Sequence, residues 1–248
     1  MPQKKQNDSV IAICVQELFE DGSCMDFGAI QGDNLQFLHQ AFITDSITSS
    51  LRVSDTDVRL YSINVPERQR LIKIITTYLK RKLTGDKAES YADRFLTVEI
   101  DHERWGSRIE RVFADCFAGG YKHVLVVGSR TPTIRPSMME TALRMLSQSD
   151  AVFGPTPEGR YYSIGMSGSY QISLSEFDWK SPLIYSEVAE AFSQKRLEWS
   201  ELEIWYAVET AADLEIMVRD INQFRYEGDE ETARETELVM ERILAKLG

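Results

Sequence analysis

The 248-residue sequence is poor in cysteine, and the few cysteines it has form no recognisable site. Cys14, Cys24 and Cys116 lie far apart, without C-x-x-C spacing and without a partner histidine motif. The pattern therefore indicates no zinc site. We expect free thiols in a reducing compartment.

Long apolar runs are also missing. No stretch reaches the roughly 20 residues that a membrane-spanning helix needs. The charged N-terminus MPQKKQNDS is followed by residues 10–15 (VIAICV), a run too short for the core of a signal peptide. The sequence thus predicts no membrane span and a cytoplasmic location.

Basic residues are in the minority. The chain has 28 Lys and Arg against 39 Asp and Glu, a net charge of -11. Because binding to nucleic acid phosphates needs a basic surface, this balance argues against nucleic acid as a partner. It does not exclude a local pocket for a nucleotide.

Cations are absent from the whole segment between Gln16 and Leu51. Its first half contains carboxylates instead, namely Glu17, Glu20, Asp21, Asp26 and Asp33. Such a loop repels phosphates unless divalent cations bridge the two. The spacing matches no EF-hand, so we interpret residues 17–33 as a solvated surface loop that does not contact nucleotide phosphates.

What the sequence does contain is an alternation of strand and helix patterns. Apolar runs predict strands at residues 10–15, 58–63, 95–100, 124–127, 150–153, 161–166 and 202–206. Helical spacing is found at residues 35–51 (with Asp33-Asn34 as its N-cap), 66–83, 108–117, 137–146, 214–224 and 230–247. This order predicts an α/β fold with a mostly parallel sheet flanked by helices.

No internal repeat or low-complexity linker divides the chain. We therefore predict a single α/β domain over residues 1–226. Residues 227–248 are predicted to form an acidic C-terminal helix, whose apolar positions suit docking on the domain or on a partner protomer in a homodimer.

Residues 123–165 form the stretch around which the chain is organised. Residues 124–127 are a continuous apolar, β-branched-rich run that ends in the polar loop GSRTP, as expected of a buried central strand. Ligands of open α/β sheets bind beyond the carboxyl ends of such strands. A helix and a short strand follow, and then the loop at residues 154–159, which is rich in Gly and Pro. We expect the binding site where these loops meet, at the carboxyl ends of the strands.

The motifs GSRTP and DAVFGPTPEGRYYSIG resemble a bacterial glycosyltransferase-like family related to the molybdenum-cofactor and phospholactate guanylyltransferases. The family pattern is G-T-D-C-P, a helix, then D-x-V-x-G-P-x-x-D-G-G-Y-Y-L-I-G. The likeness runs from about residue 108 to 214 and includes Trp179-Lys180-Ser181. It implies a single-domain GT-A-like (nucleotide-diphospho-sugar transferase) fold, a nucleotide or nucleotide sugar as ligand, and transfer of a glycosyl or nucleotidyl group.

The chain departs from the family pattern at four places. Arg130 occupies the position of an aspartate that holds a divalent metal in the family, and an arginine cannot ligate a cation. Further along the chain, the family has a D-V-D-T element, which corresponds to residues 207–210 here, and Ala207 replaces its first aspartate. Arg160 replaces a glycine of the family pattern, and the basic loop that follows the first strand in the family is missing. We therefore expect no divalent metal, and leave any other cofactor unknown.

The resemblance and the residue chemistry together nominate site residues. The catalytic candidates are Arg130, which can contact a diphosphate directly, and the carboxylates Glu158 and Glu209. The substrate-binding candidates are Ser129, Thr131, Gly159, Tyr161, Tyr162, Thr210 and Arg108. A packing role remains open for at least one of the two tyrosines. A helix-surface cluster remains open for Arg104, Arg108 and Arg111, and a packing or helix-surface role is preferred for His39.

Two functional classes remain. In the first, the protein is a nucleotide-diphospho-sugar transferase-like enzyme, with Arg130 in place of the metal and Glu158 or Glu209 as the base or orienting group. In the second, it is a catalytically degenerate relative that binds a small ligand or a partner protein. The four departures favour the second class, and the retained GxYYxIG block indicates only shared architecture.

Overall fold

A seven-stranded sheet forms the centre of the computed structural model. The structure describes residues 7–15, 19–20, 23–62, 69–70, 72–77, 91, 93–101, 104–168 and 172–247. The strands in this part of the chain are β1 (Ser9–Cys14), β2 (Phe19–Glu20), β3 (Ser23–Cys24), β4 (Thr56–Ser62), β5 (Phe95–Glu99), β6 (His123–Gly128), β7 (Ala151–Pro155), β8 (Tyr161–Ser167) and β9 (Trp199–Glu201). The small pair β2-β3 lies outside the main sheet.

The main sheet has the strand order β5-β4-β1-β6-β8-β7-β9. The pairs β4-β5, β1-β4, β1-β6 and β7-β9 are parallel, whereas β8 is antiparallel to both β6 and β7. The carboxyl ends of β6 and β7 therefore meet the start of β8 at one edge. This arrangement brings the loop after β6 next to the loop that precedes Tyr161.

Helices cover both faces of the sheet. They are α1 (Gly32–Leu51), α2 (Trp105–Ala118), α3 (Pro136–Leu146), α4 (Ile184–Gln194), α5 (Ala211–Tyr226) and α6 (Arg234–Leu247). Residues 69–70 and 72–77, between β4 and β5, are also helical. The other residues of the helix predicted at 66–83 lie outside the described residues.

The alternating faces of β1 explain the three layers. Val10, Ala12 and Cys14 pack in the cluster that contains the apolar faces of α2 and α4. Ile11 and Ile13 point to the opposite side, where they join clusters formed with α3 and α1. A strand that is buried on both faces needs a continuous apolar run, as the sequence of β1 has.

Several predicted boundaries differ from the structure, and two of these differences concern the last strand and the N-cap of α1. The last strand is β9, not residues 202–206, although the segment after β9 still follows the sheet: Leu202 N donates to Phe153 O (2.8 Å) and Trp205 N to Pro155 O (3.1 Å). Its apolar pattern reflects this one-sided packing and not a ladder. Helix α1 begins at Gly32, with Gln31 as its N-cap and no capping side chain, so Asp33-Asn34 does not cap it.

The C-terminal helix α6 packs on α1. Met240 and Ile243 of α6 share a cluster with Leu38 and Phe42 of α1. At the start of α6, the fully buried carboxylate of Asp45 accepts hydrogen bonds from Glu235 N (3.0 Å) and Thr236 N (2.7 Å). A side chain of α1 thus satisfies amide groups that a helix leaves unpaired at its N-terminus.

No helix within the described residues combines the length and the apolarity needed to cross a membrane.

Candidate functional site

A cleft of about 1320 Å³ opens at the edge of the sheet where β6 ends and β8 begins. Its walls come from the ends of these two strands, the start of α2, the segment before α4 and the start of α5. We distinguish two sets of lining residues. The arginine group is Arg130, Arg160 and Glu209, and the aromatic group is Trp105, Tyr161, Phe177 and Trp179.

Arg130 is the centre of the arginine group. It lies two residues beyond β6, its side chain is only 1% exposed, and its Nη1 donates to Glu209 Oε1 at 3.0 Å. Its backbone carbonyl accepts a hydrogen bond from Val208 N (2.8 Å), which holds the strand-like segment 202–209 beside this loop. The guanidinium therefore reaches the cleft in a defined position.

Glu209 joins the two arginines of the group. Its Oε2 accepts from Arg160 Nη1 at 3.4 Å, while Oε1 faces Arg130. Asp213 also lines this wall, and its Oδ2 accepts from Glu209 N, so two carboxylates balance the two guanidinium groups. The guanidinium donors, arranged in a planar fork, suit a phosphate or diphosphate group.

The first turn of α5 fixes the position of Glu209. Thr210 is the N-cap: its Oγ1 accepts from Asp213 N (3.3 Å), and Asp213 Oδ2 accepts from Thr210 N (2.8 Å), which completes a capping box. Asp213 Oδ2 also accepts from Glu209 N at 3.0 Å. The positive end of the α5 dipole therefore lines the cleft next to Glu209.

Two buried hydroxyl groups in the cleft wall have no hydrogen-bond partner among the described residues. They are Thr131 Oγ1, on the loop after β6, and Ser163 Oγ, on β8. Buried polar atoms in folded proteins nearly always have a partner. Both residues line the cleft, but the two oxygens themselves are buried from solvent.

The buried His39 of α1 lies behind this wall. Burial, and next the positive charge of Arg130, lower the pKa of His39 to about 3, so the imidazole is neutral near pH 7. Neither ring nitrogen has a hydrogen-bond partner among the described residues. His39 does not line the cleft, so the structure agrees with a packing role and not with a catalytic base.

The loop between β7 and β8 presents Glu158 to the cleft as an exposed carboxylate. Gly159 does not line the cleft, and its φ of +73° explains why the position needs glycine. Arg160, which stands where the resembled family has a glycine, has no positive φ and therefore no such backbone strain. Its side chain instead reaches Glu209.

Tyr161 and Tyr162 both line the cleft, yet both hydroxyl groups are bound to backbone carbonyls. Tyr161 Oη donates to Tyr185 O (2.8 Å) and Tyr162 Oη to Glu203 O (3.1 Å). Burial raises the pKa of both phenols well above the usual range. Both are therefore neutral packing residues and not proton-transfer groups; Tyr161 is half-buried, whereas Tyr162 is only 1% exposed.

Seven of the nominated residues line the cleft, and three do not: Arg108, Ser129 and Gly159. Arg108 is buried, with its Nη1 donating to Val15 O at 3.1 Å and its guanidinium over the ring of Trp105. The sequence reasoning missed the aromatic group apart from Tyr161. The concentration of aromatic residues in the segment SEFDWK was the available signal.

The acidic N-terminal segment lies beside the site. Asp26 N donates to Glu209 O (2.9 Å), and the buried side chains of Met25, Phe27 and Ile30 anchor the segment on α1 and α5. Asp26 is exposed and does not line the cleft. The carboxylates Glu17 and Asp21 lie outside the described residues.

The arginine group does not fit a divalent cation. Arg130 stands where the resembled family has a metal-binding aspartate, and the remaining carboxylate, Glu209, is engaged by two guanidinium groups. Within the described residues, no three His, Cys, Asp or Glu side chains are grouped so that they could hold a metal ion. We therefore assign no step of the chemistry to a metal.

Comparisons with known proteins agree with this architecture. Residues 75–181 match a family described as uncharacterised proteins conserved in bacteria (DUF2064). No protein with a curated description matches the sequence significantly.

Among solved structures, a proposed nucleotide-diphospho-sugar transferase of Desulfovibrio desulfuricans G20 is similar, with a TM-score of 0.69 and 21% identity over 95% of this chain and 98% of that one. The 4-diphosphocytidyl-2C-methyl-D-erythritol synthase of Anaerococcus prevotii DSM 20548 has a TM-score of 0.50 and 12% identity over 86% of this chain and 96% of that one. At these identities the likeness shows the fold alone. The predicted α/β class, with the architecture of nucleotide-diphospho-sugar transferases, is confirmed.

Proposed function

We propose that the protein transfers a glycosyl or nucleotidyl group from a nucleotide-activated donor. The observation that supports this function is the buried Arg130, paired with Glu209 and indirectly with Arg160, in a large cleft at the carboxyl edge of the sheet. Open α/β sheets bind their ligands at this edge. The finer relation to molybdenum-cofactor and phospholactate guanylyltransferases is part of the proposal.

In the proposed reaction the arginine group holds the phosphates of the donor. Arg160, whose side chain is 43% exposed, moves from Glu209 to the phosphates, and Arg130 stays in place. These guanidinium groups stabilise the negative charge that develops on the leaving phosphate groups.

The exposed Glu158 is the candidate base. The acceptor oxygen attacks the anomeric carbon or the α-phosphorus of the donor, and its proton passes to the Glu158 carboxylate. The bond to the leaving phosphate oxygen breaks, and its electron pair stays on that oxygen. Glu209 orients Arg130 and does not itself exchange a proton in this scheme.

A second candidate function is ligand binding without turnover. It is favoured by the ion pair itself: Glu209 already neutralises Arg130, which weakens the charge available for a diphosphate leaving group. A single arginine would also have to replace the metal and the basic loop of the resembled family. In this alternative the cleft binds a nucleotide or a related small ligand, or docks a partner protein.

A thermal-shift screen with CTP, GTP, UDP-glucose and GDP-mannose tests the proposal. A donor present at 100 times its Kd is expected to stabilise the protein by about 2.7 kcal/mol. Arg160→Ala should weaken the binding by about tenfold, as for loss of one charged hydrogen bond. The matched control is Arg219→Ala, since Arg219 pairs with Asp220 on the surface outside the cleft and should leave binding unchanged.

Two further readouts separate the alternatives. Binding should be insensitive to a chelator, and a strict requirement for magnesium or manganese would contradict the role given to Arg130. Transfer or hydrolysis of the bound donor at about 1 per second or faster supports the enzyme, since this is an ordinary enzymatic rate. Binding without turnover supports the second candidate, and no binding of any nucleotide contradicts the proposed function.

A further inference from the structure

The aromatic group presents an uncommon amount of ring surface to a cleft. Trp105, Tyr161, Phe177 and Trp179 are all half-buried and all line it. Concave sites lined by aromatic rings, with a few polar groups at their margin, are typical of small-molecule binding sites. All four rings pack on the core cluster beneath them, and the proposed binding of phosphates by the arginine group makes no use of the ring surface that lines the cleft.

The polar atoms of Trp179 and Tyr161 are turned into the protein. Trp179 Nε1 donates to Leu174 O (2.8 Å), and the Tyr161 hydroxyl donates to Tyr185 O (2.8 Å). The two rings lie 6.2 Å apart between centroids. What remains for a ligand is ring surface and not hydrogen-bonding groups.

The position of Trp179 depends on Gly106. A Cβ atom at Gly106 would lie 2.3 Å from Trp179 Nε1 and 2.4 Å from Leu174 O, closer than any side chain tolerates. The absence of a side chain in the first turn of α2 therefore lets the indole lie against that helix. This close approach fixes the position of Trp179 within the aromatic group before any ligand binds.

The charged residues that line the cleft near the aromatic group have both signs. Glu158, Glu176 and Asp178 supply carboxylates, and Arg104 and Lys180 supply cations, all of them exposed. An anion would meet the carboxylates and a cation would meet the basic groups. A neutral hydroxyl group suits both, because it donates to a carboxylate and accepts from a cation.

We propose that the aromatic group binds the acceptor of the transfer, and that this acceptor is a neutral ring bearing several hydroxyl groups, such as a sugar or a cyclitol. The apolar C–H face of such a ring packs on Trp179 and its neighbours, while its hydroxyl groups bond to the charged margin. Glu158 belongs to that margin and is also the candidate base, so one acceptor hydroxyl lies where its proton is removed. That the bound ring is the acceptor of a transfer reaction rests on the proposed function. That the aromatic group binds such a ring does not depend on it.

Ligand-observed NMR on the full chain tests the inference, with methyl α-D-glucoside, myo-inositol, choline and cytidine as separate probes. We expect saturation transfer to the ring C–H protons of the glucoside or of inositol. Trp179→Ala should weaken that binding at least about tenfold, the change expected when a well-packed aromatic anchor is lost. Phe177→Leu, which keeps apolar packing and removes a ring, guards against a folding defect and should weaken it by a smaller factor.

Trp199→Phe is the matched control, because Trp199 packs on Phe153 and does not line the cleft. Binding of choline alone would overturn the inference in favour of a cation site, and binding of cytidine alone would assign the rings to a nucleobase. No binding of either polyol, or equal loss in Trp199→Phe, would also overturn it. Nucleotide binding measured on the same samples reports separately on the proposed function, which stands or fails independently.

Discussion

Two buried ionisable residues of α1 lie less than two turns apart, and they face different regions. His39 lies behind the cleft, near Arg130, with no hydrogen-bond partner on either nitrogen among the described residues. Asp45 faces α6 and accepts two amide hydrogen bonds from it. Burial moves both towards the neutral form, lowering the pKa of His39 to about 3 and raising that of Asp45 to about 7.

His39 is a packing residue, whereas Asp45 fixes the backbone at the start of α6. Replacing His39 with an apolar residue removes only buried, unpaired nitrogens. Replacing Asp45 removes the acceptor that holds the first turn of α6. Burial in a low-dielectric environment disfavours the charged form of both side chains, but only Asp45 accepts hydrogen bonds that hold the backbone of another helix.

The largest expected effect is the pH dependence from His39. Unfolded histidine binds a proton below about pH 6.5 and folded His39 only below about pH 3. The unfolded state thus holds one more proton in this window, so the free energy of unfolding falls as the pH drops through it. The loss is on the order of 4 kcal/mol. His39→Leu should abolish it, as measured by urea unfolding between pH 3.5 and 8.

Asp45 should act in the opposite direction over much of the same range. Burial raises the pKa of folded Asp45 to about 7, while the unfolded residue loses its proton near the ordinary aspartate pKa of 3.8. The folded state then binds more protons, so the free energy of unfolding falls as the pH rises, again by an amount on the order of 4 kcal/mol. Asp45→Asn should remove this slope.

The pH dependence of each variant shows the contribution of the residue that the other variant lacks. In wild-type protein the opposite slopes of His39 and Asp45 partly cancel between about pH 4 and 6.5. His39→Leu should leave the slope of Asp45 visible, and Asp45→Asn that of His39. If both variants follow the wild-type pH profile, the two residues are not titrating as their burial implies.

A smaller effect is expected at the arginine group. Arg130→Met leaves Glu209 without its buried partner and should destabilise the fold by about 3 kcal/mol. Because Glu209 is 26% exposed and keeps Arg160, part of its charge stays compensated. The double variant Arg130→Met with Glu209→Gln should recover part of the stability in urea unfolding. Recovery of nucleotide binding in the double variant would contradict the role of Arg130.

The smallest effect concerns the capping box of α5. Thr210→Ala removes the side chain that accepts from Asp213 N and should cost about 1 kcal/mol of stability. Thr210→Ser keeps the hydroxyl group and is the matched control. Because the cap also positions Glu209, donor binding should weaken in Thr210→Ala and stay unchanged in Thr210→Ser.

Much of the fold was predictable from apolar patterns. The runs in β1 and β6 are continuous because both strands are buried on both faces, and that property is local. The boundary at β9 was not predictable, since residues 202–209 keep strand-like burial without a ladder. Of the site, the loop after β6, Tyr161 and the Glu209-Thr210 pair were nominated, whereas the other members of the aromatic group were not, because their rings come from α2 and the segment before α4.

The sequence by itself determined most of the strands and helices, since burial on one or two faces imposes its own residue period. It also determined that Arg130 follows a central strand. Only the tertiary structure decided that this guanidinium meets Glu209, 79 residues further along the chain, and that Arg160 shares the same carboxylate. No local period encodes such contacts, because strand order and the antiparallel β8 bring these loops to one edge.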